Sequence, residues 1–179
     1  MLPRSLLVAN RGEIAVRIMR AAAELGIRTV AAFSEDDARS LHTRKADEAR
    51  GLIGTGTAAY LDVEQIVAIA KAAGCDAIHP GYGFLSENAG FARRAAEEGI
   101  KFVGPRPDIL ELFGDKVRAR ALAGRVGVPL LPGTAGATSL SEAREFLASL
   151  GDGGAKVEVA MMIKAVAGGG GRGMRVVRS

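Results

Sequence analysis

Ser5-Leu6-Leu7-Val8-Ala9-Asn10-Arg11-Gly12-Glu13-Ile14-Ala15-Val16-Arg17-Ile18-Met19-Arg20-Ala21-Ala22-Ala23-Glu24-Leu25-Gly26-Ile27-Arg28-Thr29-Val30-Ala31-Ala32-Phe33 changes its hydrophobic period twice. Ser5–Ala9 is a short apolar run of the kind that forms a buried strand, ended by Asn10-Arg11-Gly12. Glu13–Leu25 then repeats at helical spacing, with Ile14, Ile18, Ala22 and Leu25 on one apolar face. Gly26 supplies the stop, and Ile27–Phe33 is strand-like again. Strand, turn, helix and strand in this order predict the opening of an α/β doubly wound parallel sheet.

The opposite stripe of that helix is Glu13, Arg17, Arg20 and Glu24. Such spacing reads first as a solvated face with i,i+4 pairs, and second as a polar subunit contact. The junction at Asn10–Glu13 carries one glycine where a dinucleotide fingerprint needs three, which disfavours a Rossmann cofactor.

Ser34–Arg50 is polar, with Ala46-Asp47-Glu48 predicted on a turn or short helix, and Ile53–Tyr60 is a Gly/Thr-rich connection. Asp62 suits the N-cap of a helix reaching Ala73, buried through Val63, Ile66, Val67 and Ala70. Cys75–His79 is the next strand. His79-Pro80-Gly81-Tyr82-Gly83-Phe84-Leu85-Ser86-Glu87-Asn88 must then be a loop at a strand's carboxyl end, the edge where open parallel sheets bind ligands. His79, Tyr82, Glu87 and Asn88 can all hydrogen-bond there. The plainer reading is a βα connection in which Ser86 or Glu87 caps a helix running to Glu98.

Ile100–Val103 is a further strand, and Asp108–Phe113 a short helix. Asp115 can cap a helix to Arg125. Lys116 in that helix's first turn is a misfit that an anion would relieve. Two prolines and two glycines in Gly127–Gly133 place a domain boundary near residue 130, giving units 1–130 and 131–179. Ser139-Leu140-Ser141-Glu142 has the form of a capping box and opens a helix to Leu150.

The chain ends in two apolar runs, Val159–Ile163 and Met174–Val177, predicted as strands. Between them lie Lys164 and the glycine-rich segment Gly168, Gly169, Gly170, Gly171, Arg172 and Gly173. Glycines let backbone N–H groups crowd a compact anion, and Lys164 and Arg172 add positive charge, so the segment is equipped to grip phosphates. It is not a Walker A loop, since no Gly-x-x-x-x-Gly-Lys-Ser/Thr occurs. A flexible hairpin connection is the plainer alternative.

Composition narrows the classes. The chain is 48% apolar and 25% charged, as soluble globular proteins are, and no apolar run approaches membrane-spanning length. The N-terminus lacks a signal-peptide pattern, so a cytoplasmic location is expected. A single cysteine, Cys75, excludes an intrachain disulfide and reads as a buried small residue; two distant histidines make a metal site improbable. Net charge is +4, but aromatics are only 4% and basic residues are dispersed. That favours small anions over nucleic acid.

Four motifs together resemble biotin carboxylase, the ATP-dependent component of acetyl-CoA, propionyl-CoA and pyruvate carboxylases. They are Val8-Ala9-Asn10-Arg11-Gly12-Glu13-Ile14-Ala15, Ala77–Asn88, Gly114-Asp115-Lys116-Val117 and Gly168–Met174, in the family's order and spacing. The resemblance implies a Rossmann-like N-terminal domain that holds no dinucleotide, followed by the start of an ATP-grasp domain. It further implies that ATP and bicarbonate give carboxyphosphate, whose CO₂ passes to the ureido nitrogen of biotin. Lys116 and Lys164 match lysines contacting ATP phosphates, and Gly168–Gly173 the loop closing over the nucleotide. Tyr82 and Gly83 match positions near biotin, and Arg20 and Glu24 positions of the usual homodimer contact.

Two departures stand out. Gly151–Val159 is longer than the family's Gly-Tyr-Pro turn, and Ala167 replaces a common glycine. By the same resemblance, the Mg²⁺-holding carboxylates, adenine pocket, bicarbonate-binding residues and catalytic glutamate lie beyond Ser179. The resemblance also implies a biotin carboxyl carrier, as a domain or a separate protein, and a carboxyltransferase component as partners. The isolated chain is therefore expected to be inactive. The alternatives are a truncated paralogue serving as a dimerising, regulatory module, and a nicotinamide-dependent oxidoreductase, which the missing fingerprint argues against.

Overall fold

The computed structural model describes residues 2–134, 136–151, 159–165 and 173–178. The chain divides into two compact units, Met1–Glu111 and Leu112–Ser179. The break expected near residue 130 falls within the second unit.

In the first unit, β1 (Ser5–Val8), β2 (Arg28–Phe33), β3 (Glu48–Gly51), β4 (Ala77–His79) and β5 (Lys101–Phe102) form one sheet in the order β3-β2-β1-β4-β5. Every pairing is parallel, with Leu7 opposite Val30 and Ile78. Helices α1 (Gly12–Glu24), α2 (Gly56–Ala59), α3 (Val63–Ala72) and α4 (Ala89–Glu97) connect the strands, and α5 (Pro107–Gly114) runs across the boundary between the units. Strand side chains alternate between two cores. Leu7, Val30 and Ile78 join Ile66, Val67 and Phe91 of α3 and α4 in one cluster. Leu6, Val8 and Ala31 join Ile14, Ile18 and Met19 of α1 in the other. Helices on both faces of a parallel sheet are what the near-continuous apolar strands require.

Three sequence expectations are corrected. Leu25 is 58% exposed instead of buried, because the helix ends at Glu24 and the chain turns away at this C-cap residue. Ala46-Asp47-Glu48 is neither turn nor helix throughout: Glu48 begins β3, an edge strand. Asp47 instead accepts hydrogen bonds from the Thr29 N–H (2.7 Å) and Oγ1 (2.8 Å), pinning the entry to that edge. Finally, α4 is capped not by Ser86 or Glu87 but by Asn88, whose Oδ1 accepts from the Phe91 N–H at 2.9 Å. Bonds from the Ser86 N–H to Gly83 O and from the Asn88 N–H to Leu85 O hold the chain in turns until that residue.

Asp37 gathers a polar cluster behind β2. It accepts from Ser40 Oγ (2.7 Å) and Tyr60 Oη (3.0 Å), and lies 3.2 Å from Arg11 Nε. Burial pushes its carboxyl pKa up, but those hydrogen bonds and the Arg11 charge outweigh it and hold the pKa below 3.8. Nearby His42 is buried, with neither ring nitrogen at hydrogen-bonding geometry to a partner among the described residues. Burial draws its pKa below 6.5, against the opposing pull of Asp37 and the Ala32 backbone; Arg11 adds to the lowering.

The native state keeps both His42 and His79 neutral where the unfolded chain already takes up protons. Stability is therefore present above about pH 6.5 and falls as pH drops below it. The melting temperature should decline from pH 7 to pH 5, and His42→Leu should flatten that decline. An unchanged slope in the variant would show that His42 does not govern it.

In the second unit, α6 (Lys116–Arg125) is capped by Asp115, which accepts from the N–H groups of Val117 (2.9 Å) and Arg118 (3.1 Å). Helix α7 (Leu140–Leu150) opens with the expected capping box between Ser139 and Glu142. Strands β6 (Ala160–Lys164) and β7 (Met174–Arg178) pair antiparallel, with Lys164 opposite Met174. No helix among the described residues is long and apolar enough to cross a membrane.

Candidate functional site

The strand order changes direction between β1 and β4, and crevices open outside the carboxyl ends of strands at such a point. Two turns meet there: Asn10-Arg11-Gly12 after β1, and the His79–Asn88 loop after β4. Buried Asn10 donates from Nδ2 to the carbonyls of Pro80 (2.6 Å) and Tyr82 (2.9 Å), and its Oδ1 accepts from the Arg11 N–H (2.9 Å). His79 Nδ1 accepts from the Gly81 N–H at 3.0 Å; burial lowers the His79 pKa and favours the neutral acceptor this bond needs.

Between these anchors Tyr82 is 61% exposed. Gly83 takes a left-handed φ of 65°, and a Cβ there would meet nothing within 4 Å among the described residues, so its backbone is open to close approach. Phe84 is also left-handed, at φ 42°, and stacks on Tyr60 with ring centroids 5.1 Å apart and planes 4° from parallel. The loop thus offers an aromatic face and a bare backbone segment on a rigid base. Glu87 is exposed beside it, and Asn88 is occupied as the α4 cap.

On α1, Arg20 and Glu24 are exposed one turn apart, and Arg17 pairs with Glu13 at 3.3 Å. The i,i+4 reading of this stripe is therefore realised at Glu13–Arg17.

In the second unit, Lys116 opens α6 and Lys164 ends β6, both exposed. The Ala165 N–H donates to Gly173 O at 3.0 Å, closing the hairpin just past Lys164. Gly173 has φ 73°, and a Cβ there would lie 2.8 Å from Ala165 Cβ, so this closure needs glycine. Gly168, Gly169, Gly170, Gly171 and Arg172 lie outside the described residues, as do Ala167 and most of the Gly151–Val159 segment. Among the described residues no group of three His, Cys, Asp or Glu side chains is placed to hold a metal.

A doubly wound α/β domain is thus followed by a unit with a capped, lysine-led helix and a lysine-ended hairpin. Residues 3–110 match the model of the biotin carboxylase N-terminal domain, and residues 115–179 that of the carbamoyl-phosphate synthase L chain ATP-binding domain. The chain belongs to the biotin carboxylase family. It is 56% identical to the pyruvate carboxylase of Staphylococcus aureus over 179 residues, 98% of this chain and 15% of that protein. A putative urea carboxylase of Emericella nidulans is 52% identical over 172 residues, 96% of this chain and 13% of its own. Among solved structures, the biotin carboxylase domain dimer of the Hydrogenobacter thermophilus 2-oxoglutarate carboxylase, in complex with MgADP, ADP and bicarbonate, is 43% identical. It superposes with a TM-score of 0.86 over 99% of this chain and 38% of that one.

Sequence reasoning missed the Asn10 bridge and the Arg11–Asp37–Tyr60 cluster. The one available signal was chemical: an asparagine at the carboxyl end of a buried strand carries two N–H donors that need acceptors.

Proposed function

We propose that this chain supplies the N-terminal part of a biotin-dependent carboxylase that uses ATP and bicarbonate to carboxylate biotin. One observation carries the reading: the β6–β7 register fixes Lys164 opposite Met174 at a hairpin whose connection in sequence is the glycine-rich segment. A cation at the head of a connection rich in glycine in sequence fits the charge that develops in phosphoryl transfer. Lys164, Lys116 and the segment Gly168–Gly173 are assigned to ATP phosphates, Tyr82 and Gly83 to the biotin-facing surface. Biotin attached to a carrier component fits the latter because Tyr82 and Gly83 are both exposed. The Mg²⁺ ligands are assigned to sequence outside these residues.

Relatives named for pyruvate, urea and 2-oxoglutarate share this portion at 56%, 52% and 43% identity, so acceptor choice belongs to another component, the carboxyltransferase. The test is ATP cleavage by the complete carboxylase. Cleavage that requires bicarbonate and rises with free biotin supports the assignment; cleavage indifferent to bicarbonate overturns it.

The exposed Arg20 and Glu24 are assigned to a homodimer contact. Arg20→Glu places like charges across it and should weaken the dimer about tenfold or more in sedimentation equilibrium. An unchanged dissociation constant would remove Arg20 from the interface. The alternative, a dimerising regulatory module without catalysis, would show as co-purification of this chain with a full-length carboxylase whose rate it alters.

A further inference from the structure

We propose that Asn10 is the positioning residue of the biotin-facing turn, an inference that rests on the assignment of Tyr82 and Gly83 above. The Asn10 amide is fully committed. Both Nδ2 hydrogens go to main-chain carbonyls on alternate loop residues, Pro80 at 2.6 Å and Tyr82 at 2.9 Å, and Oδ1 takes the Arg11 N–H at 2.9 Å. These partners fix the amide orientation, because a flipped amide would set its oxygen against two carbonyls and its NH₂ against an N–H. Asn10 is 3% exposed, so solvent is poorly placed to replace those bonds.

The turn is shaped to receive this amide. Gly81 has φ 69°, and a Cβ there would lie 2.6 Å from Asn10 Nδ2 and 2.9 Å from its Cγ, so glycine is what lets the two approach. Glycines at 81 and 83 would otherwise leave the segment many conformations, and a double bridge from the sheet removes them. Arg11 anchors the far side through Asp37, which it pairs with at 3.2 Å, and through Tyr60, which donates to Asp37 and stacks on Phe84. Neighbouring residues after β1 therefore hold both ends of the turn. Group transfer between a planar ring and a phosphate-derived donor depends on placement to a fraction of an ångström, which this bracing provides.

The test uses Asn10→Ala in the complete carboxylase with free biotin as substrate. Its KM for biotin should rise about tenfold while the KM for ATP changes less than about twofold. Amide hydrogen exchange in the peptide spanning 80–86 should quicken at least about tenfold, with peptides of β1 and α4 unchanged. Gly81→Ala, which displaces the amide from the other side, should give the same selective pattern and serves if Asn10→Ala does not fold. Unchanged exchange at 80–86, or exchange that quickens across the whole sheet, overturns the proposal. Tyr82→Ala separates the two readings. If it leaves the biotin KM unaltered, the biotin assignment falls, and the exchange data still decide whether Asn10 holds the turn. If it raises that KM and Asn10→Ala does not, Asn10 alone is excluded.

Discussion

Lys164→Ala in the complete carboxylase is expected to slow bicarbonate-dependent ATP cleavage about 100-fold and to raise the KM for Mg-ATP. The magnitude is that of losing one preorganised charge-stabilising donor. Preorganisation here comes from the backbone. Lys164 is the last residue of β6 and lies opposite Met174, and the next main-chain bond joins Ala165 to Gly173. The start of the side chain is therefore fixed on both sides, and only its four-carbon stem is free. Lys164→Arg keeps the charge but replaces a compact ammonium with a broad planar fork, so it should recover only part of the rate. A selective fall in kcat would place the interaction in the transition state, and a selective rise in KM in ground-state binding. Unaltered kinetics in Lys164→Ala would remove this lysine from the site.

What could be read from the sequence divides along locality. The caps Asp62, Asp115 and Ser139 were legible because capping is satisfied within three residues of the cap, and each accepts the expected N–H. The sheet was legible because strands buried on both faces are largely apolar, as β1 is at Leu6–Val8. Strand β3 was not, since Glu48-Ala49-Arg50-Gly51 has neither apolar run nor alternation; it is a strand only because β2 offers it a parallel partner. Leu25 kept the helical period one residue past the helix, where backbone geometry rather than hydrophobic spacing decides direction. The site separates in the same way. Tyr82, Gly83 and Lys164 stood out as residue types in suggestive positions. The Asn10 bridge to Pro80 and the Tyr60 bond to Asp37 join residues far apart in the chain and leave no periodic trace.

Phe91→Ala should cost the first unit about 3–5 kcal/mol, the usual range for deleting a buried phenyl ring. Phe91 of α4 is fully buried against α3 and the sheet, and meets Phe102 edge-on with centroids 5.6 Å apart at 87°. Its N–H is also the one that Asn88 caps. A loss of this size is a large share of the roughly 5–15 kcal/mol that holds a typical domain together. Urea denaturation should show it as a lower midpoint with an unchanged slope. Phe91→Leu fills most of the space and should cost under about 1.5 kcal/mol. A loss below about 1 kcal/mol in the alanine variant would mean that α4 does not close this core. The effect should also reach the site. Asn88 ends the His79–Asn88 loop and begins α4, and Phe84 and Leu85 pack into the same core as Phe91. Loosening that core withdraws the floor beneath Tyr82 and Gly83 while leaving Asn10 in place. Exchange at 84–91 should then quicken more than at 80–82, the reverse of the order expected for Asn10→Ala.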